Sequence, residues 1–109
     1  MEIFNNSLLI LDSNNNTLIY SAPQLYSESA VLVTSCIVTN LTPTTSNLSL
    51  SITDSNNTLL SYITHQKPIS DSIELIINGK LVLMSSQRLW AQSSASNNLS
   101  ISLSVLEIN

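Results

Sequence analysis

The chain has 109 residues and a formal charge of −4, with three Lys/Arg against seven Asp/Glu. That length is one domain with room for one two-layer core, burying roughly 65% of the unfolded surface. Three permanent cations (Lys67, Lys80 and Arg88) are too few for a phosphate-binding patch, so nucleic acid is excluded as a partner. Ser, Asn and Thr supply a polar but neutral half, and low charge weakens repulsion between neighbouring copies.

Taken in chain order, the first segment, Met1 to Leu11, holds Ile3, Phe4, Leu8, Leu9, Ile10 and Leu11. It has Glu2 in place of a basic start and an Asn5-Asn6-Ser7 break, so no secretory leader is expected. Leu8 to Leu11 is apolar on both faces and is read as an N-terminal strand or an arm used in assembly, by strand addition to an exposed edge. Asp12-Ser13-Asn14-Asn15-Asn16-Thr17 reads as a turn, because Asx side chains bond their own backbone. A strand follows, ending near Tyr20 and Ser21 before Pro23.

Ser29 to Thr39 is apolar on both faces and predicts a long central strand, or one covered on both sides. Pro43 marks a loop. Leu48, Leu50 and Ile52 alternate with Ser49, Ser51 and Thr53, the period of a half-buried strand. Asp54-Ser55-Asn56-Asn57-Thr58 nearly repeats the first turn, and Pro68 predicts another loop after Lys67. Ile73, Leu75 and Ile77 read as one face of a strand, as do Leu81 and Leu83, with Asn78-Gly79 between them as a type I′ hairpin turn. Ser96-Asn97-Asn98 is a further turn, and Leu99, Ile101, Leu103 and Val105 alternate with Ser100, Ser102 and Ser104 in the last strand.

No segment has a helical period. Strands about every ten residues predict an all-β, antiparallel β-sandwich of eight or nine short strands, jelly-roll or immunoglobulin-like, forming one domain over 1–109. No apolar run approaches the ~20 residues that span a bilayer, so no membrane role is expected.

The chemistry-bearing residues are sparse. His65 is the only histidine, Cys36 the only cysteine and Gly79 the only glycine. A nucleophile elbow and glycine-rich phosphate loops both need more glycine. His65 reads as a strand-end or loop residue, and Cys36 as a packed thiol. Asp12-x-Asn14-x-Asn16 opens like a calcium loop, but Thr17 stands where the turn needs glycine and Pro23 where a bidentate Glu belongs. Catalysis, cofactors and metal are therefore not expected. Six Asn-x-Ser/Thr sequons, at Asn5, Asn15, Asn40, Asn47, Asn56 and Asn98, follow from composition. If Leu89 and Ala91 face the core, Trp90 faces outward, as an interface anchor first, a core or partly covered surface residue second, and a platform for sugar stacking third. Phe4, Leu9, Arg88 and Trp90 form the candidate interface set.

The order of motifs resembles small β-sandwich structural proteins of marine and cyanobacterial phage virions. The resemblance runs from Thr17-Leu18-Ile19-Tyr20-Ser21-Ala22-Pro23 through Ala30-Val31-Leu32-Val33, Ile37-Val38-Thr39-Asn40 and Leu48 to Asp54. It continues at Lys67-Pro68-Ile69 and Lys80-Leu81-Val82-Leu83 and ends at Leu103-Ser104-Val105-Leu106-Glu107-Ile108, covering roughly 17–108. Ser85-Ser86-Gln87-Arg88 departs from it, where such proteins carry a Gly-Asp turn. The resemblance implies a non-enzymatic virion part assembled in the host cytoplasm. Its leading form is a capsid decoration or cement protein, a homotrimer bound to copies of itself and to the major capsid or other virion proteins. A collar, tail or fibre-attached module with weak glycan binding is the alternative.

Overall fold

The computed structural model describes residues 2–10, 16–22, 30–70, 73–95 and 98–108, and for 2–10, 30, 78–80 and 108 it describes the backbone alone. Eight strands follow one another: β1 (Glu2–Ile10), β2 (Thr17–Ser21), β3 (Ala30–Asn40), β4 (Ser46–Thr53), β5 (Leu59–Ile69), β6 (Ile73–Leu83), β7 (Arg88–Ser93) and β8 (Leu99–Ile108). No helix occurs among the described residues. The strands form two antiparallel four-stranded sheets, ordered β1-β8-β3-β6 and β2-β7-β4-β5.

That order is a jelly roll. The pairs β1·β8, β2·β7, β3·β6 and β4·β5 are nested like one long hairpin. Rolling the ribbon adds the lateral pairs β3·β8 and β4·β7. Of the two sandwich topologies that the alternation admits, the pairing therefore selects one.

The core is what period-two alternation dictates. Val31, Val33, Cys36 and Val38 of β3 meet Leu99, Ile101, Leu103 and Val105 of β8 on one inner face. Leu48, Leu50 and Ile52 of β4 meet Leu89 and Ala91 of β7 on the other. Each fully buried aliphatic side chain stabilises by roughly 1.5–3 kcal/mol relative to exposure. β3 lies between β8 and β6; its inward residues are buried, and its outward Leu32 and Ile37 are half-buried beside those two strands.

Several local expectations are corrected. Asn78-Gly79 is not a hairpin turn: β6 runs through it. The pairing passes from Ser35↔Asn78 to Val33↔Leu81, so Gly79 and Lys80 oppose the single residue Thr34. The dipeptide thus sits at a β-bulge, where the same permissive backbone absorbs an extra residue. Ile73, Leu75 and Ile77 do not share a face. An extra residue, Ile76, enters between Cys36↔Ile77 and Ile37↔Leu75, so Ile77 is buried while Ile73 and Leu75 stand in solvent. Pro68 does not end a strand but lies within β5, an edge strand where a missing N–H costs no ladder bond on the free side. Asn5-Asn6-Ser7 does not break its segment, because β1 pairs with β8 from Glu2↔Ile108 to Ile10↔Ser100.

Other turns match their chemistry. The Asp54 carboxylate Oδ1 accepts from the Asn56 and Thr58 backbone N–H groups at 2.8 and 3.0 Å, and Asn57 takes φ 63°. The Asp12 and Ser96 turns lie, wholly or in part, outside the described residues. At one end of the sandwich the buried Asn40 ties three segments together. Its Nδ2 donates to the carbonyls of Thr44 (2.9 Å) and Ile69 (2.8 Å), and its Oδ1 accepts from the Thr42 N–H at 2.9 Å. Both ends of this amide are thus engaged inside the fold, so the Asn40 sequon presents no free side chain for a glycan.

Candidate interaction surfaces

The sandwich has two outer faces. On the sheet β2-β7-β4-β5, Leu89 and Ala91 point into the core, which turns Trp90 outward as its neighbours dictate. The register aligns Leu18, Trp90, Ser51 and Tyr62 in one row across all four strands. Leu18 and Tyr62 are exposed, Trp90 is half-buried, and Ser51 is only 5% exposed between the larger side chains. The indole is fixed: its Nε1–H donates to Thr53 Oγ1 at 2.9 Å. The polar end of an otherwise apolar ring is thereby satisfied while the rest remains available for contact.

Arg88, one row along β7, donates from Nη1 to Asn57 Oδ1 at 2.7 Å, tying β7 to the turn between β4 and β5. Its head group is thus partly committed within the chain. His65 lies in β5 beside a bulge at Gln66, which takes φ 54° and donates its N–H to Ser49 Oγ at 3.0 Å. The imidazole is tilted against the Tyr62 ring, with centroids 4.4 Å apart. The expected strand-end histidine is therefore inside an irregular edge strand, and its ring partner is an aromatic.

On the sheet β1-β8-β3-β6 the outer face is different. Val82 and Leu75 of β6 are exposed, and Ile73 is the most exposed large apolar residue described, at 66%. Leu32 and Ile37 of β3 pair with Val82 and Leu75 and are half-buried. Two of its acids are tied to the other sheet. Glu74 pairs with Lys67 of β5 at 3.1 Å, and Glu107 accepts a hydrogen bond from the Tyr20 hydroxyl of β2. Burial, aided by that carboxylate, pushes the Tyr20 phenol well above its ordinary range.

Two predicted interface residues lie on β1, whose backbone alone is described. The register sets Phe4 opposite Leu106 and Leu9 opposite Ile101. Phe4 thus stands in the row of half-buried Leu106 and Leu32, while Leu9 stands in the row of Ile101 and Val38, both buried. Tyr62, Leu75 and Ile73 were missed as surface residues. Their exposure follows from bulges in β5 and β6, and bulge positions leave little trace in alternation.

No cluster of three or more His, Cys, Asp or Glu side chains able to hold a metal ion occurs among the described residues. No described helix is long and apolar enough to cross a membrane. Cys36 is fully buried, and burial pushes its thiol up to about 12. No known protein-family model matches the sequence, and no curated protein matches it.

Proposed function

We propose that the chain is a structural protein of a phage virion, a homo-oligomeric decoration or cement protein that binds the outer shell and is assembled in the host cytoplasm. The observation that carries this reading is the Leu18–Trp90–Ser51–Tyr62 row, an apolar and aromatic band across an open sheet face, held in shape by the Trp90–Thr53 hydrogen bond. A pinned, half-buried Trp beside exposed apolar side chains has the composition of an interface anchor, and such anchors carry most of a contact's energy. The two-sheet jelly roll supports the reading, since its rigid faces suit packing on a lattice. Attachment to a collar, tail or fibre is the second reading. The exposed Tyr62 ring beside His65 favours a weak glycan contact in that setting.

Quantitative mass spectrometry of purified particles carrying this chain tests the proposal. Hundreds of copies per particle are expected of a decoration protein, and around a dozen of a collar or fibre part. Trp90→Ala is expected to weaken binding to expanded shells by about 100-fold. Absence of the protein from particles overturns the reading.

A further inference from the structure

We infer that the outer face of the sheet β1-β8-β3-β6 is a self-interface, on which a second copy of this chain packs face to face about a two-fold axis. The inference deepens the homo-oligomer of the reading above and rests on that part of it.

Charge is the first argument. The chain carries a net −4, so two copies repel least where they meet on a face with little charge. The outward-facing described residues of this sheet are aliphatic or hydroxyl-bearing. Two of its three acids, Glu74 and Glu107, belong to the inward rows of Val38 and Val31 and are engaged with Lys67 and Tyr20. On β1 the positions in the outward register rows are Glu2, Phe4, Asn6, Leu8 and Ile10, and Glu2, in the last row at one end of the face, is the one ionisable residue among them. By contrast, the opposite outer face carries Arg88.

Shape is the second argument. Ser100, Ser102 and Ser104 make a shallow trough along β8. Beside it, Leu32 and Ile37 of β3, with Val82 and Leu75 of β6, form a ridge. An isologous contact requires a surface complementary to itself. A two-fold axis parallel to the strands between β8 and β3 places the trough of each copy against the ridge of the other. It also sets β6 of one copy over β1 of the other. Short serines allow the backbones to approach to about the 10 Å of packed sheets.

Size is the third. Four strands at ~4.8 Å spacing and about ten residues at ~3.3 Å rise give a face of roughly 600 Å². Two such faces bury about 1,200 Å², the lower bound for a specific, stable interface. The alternative of β6 edge pairing is disfavoured by the two bulges in that strand, which interrupt an edge's regular donors and acceptors. A two-fold pair also departs from the homotrimer that the sequence resemblance implies.

Analytical ultracentrifugation of the full chain over a dilution series tests this. The expected species is a dimer of twice 11.9 kDa. Leu75→Lys and Val82→Lys, each placing an unpaired charge in the contact, are expected to weaken self-association about 100-fold. Leu59→Lys, at an exposed position of β5 on the opposite sheet and outside the Trp90 row, is expected to leave it unchanged. Both β6 side chains are exposed, and circular dichroism confirms that each variant keeps its β spectrum; if one loses it, the other carries the test. A monomer at every concentration, a trimer, or a dimer indifferent to both β6 variants overturns the paired face. A monomer or trimer that still occupies particles leaves the virion reading standing, whereas a dimer absent from particles overturns that reading and keeps the paired face.

Discussion

The two outer faces of this sandwich are built from the same alternation and end up with opposite characters. On β2-β7-β4-β5, side chains reach sideways to one another: Trp90 to Thr53, Arg88 to Asn57, and the Gln66 backbone to Ser49. On β1-β8-β3-β6, aliphatic side chains stand beside short serines, with Thr34 Oγ1 donating to the Ser104 carbonyl at a bulge. A face whose side chains are bonded laterally is held in a fixed shape before any partner meets it. A face of unbonded aliphatics gains little within the monomer and has burial still to gain from a neighbour.

That contrast predicts unequal responses to the same truncation. Trp90→Ala is expected to cost the isolated monomer about 2 kcal/mol, because it uncovers Ser51 and leaves the Thr53 hydroxyl without its donor. Leu75→Ala on the other face is expected to stay within about 0.5 kcal/mol. Urea unfolding of both variants measures the difference, and equal losses would break the comparison. Arg88→Ala sharpens it at smaller scale. The Arg88–Asn57 hydrogen bond is exposed, so its loss is expected to shift stability by about 0.5 kcal/mol or less.

The smallest effect is expected beneath both faces, at Cys36. With its thiol held up at about 12 and out of solvent, thiol reagents at pH 8 are expected to leave it unmodified until denaturant unfolds the chain. The sign of its pH effect follows. The folded pKa lies above the ordinary 9.0, so the contribution is fully present below pH 9 and declines as pH rises from 9 toward 12. Tyr20, also raised, acts in the same direction from pH 10 upward. Replacing Cys36 by Ala is expected to flatten the alkaline fall. Labelling of the native protein at pH 8 would place this thiol in contact with solvent.

Much of the fold is legible without coordinates. Leu48, Leu50 and Ile52 announce their inward face, the last strand does the same, and Leu89 and Ala91 assign Trp90 to the outside by exclusion. The Asp54 turn is equally legible, because an Asx side chain closes its own loop. Asn78-Gly79 was not. Its left-handed tolerance serves a hairpin and a bulge alike, and only the partner strand decides between them. Ile73 and Leu75 failed for a related reason: a single inserted residue, Ile76, reverses every side chain beyond it.

The sequence by itself determined that this protein is a two-layer antiparallel sandwich, because period-two burial and Asx turns are local properties of neighbouring residues. The tertiary structure alone decided the jelly-roll order, the bulges and therefore which aliphatic side chains reach the surface. Those depend on pairings such as Phe4 with Leu106, or Ser51 with Trp90, between residues far apart along the chain. Local alternation sets which side chains share a face and which face meets the core while a strand is regular, and only cross-strand register shows where a bulge reverses them.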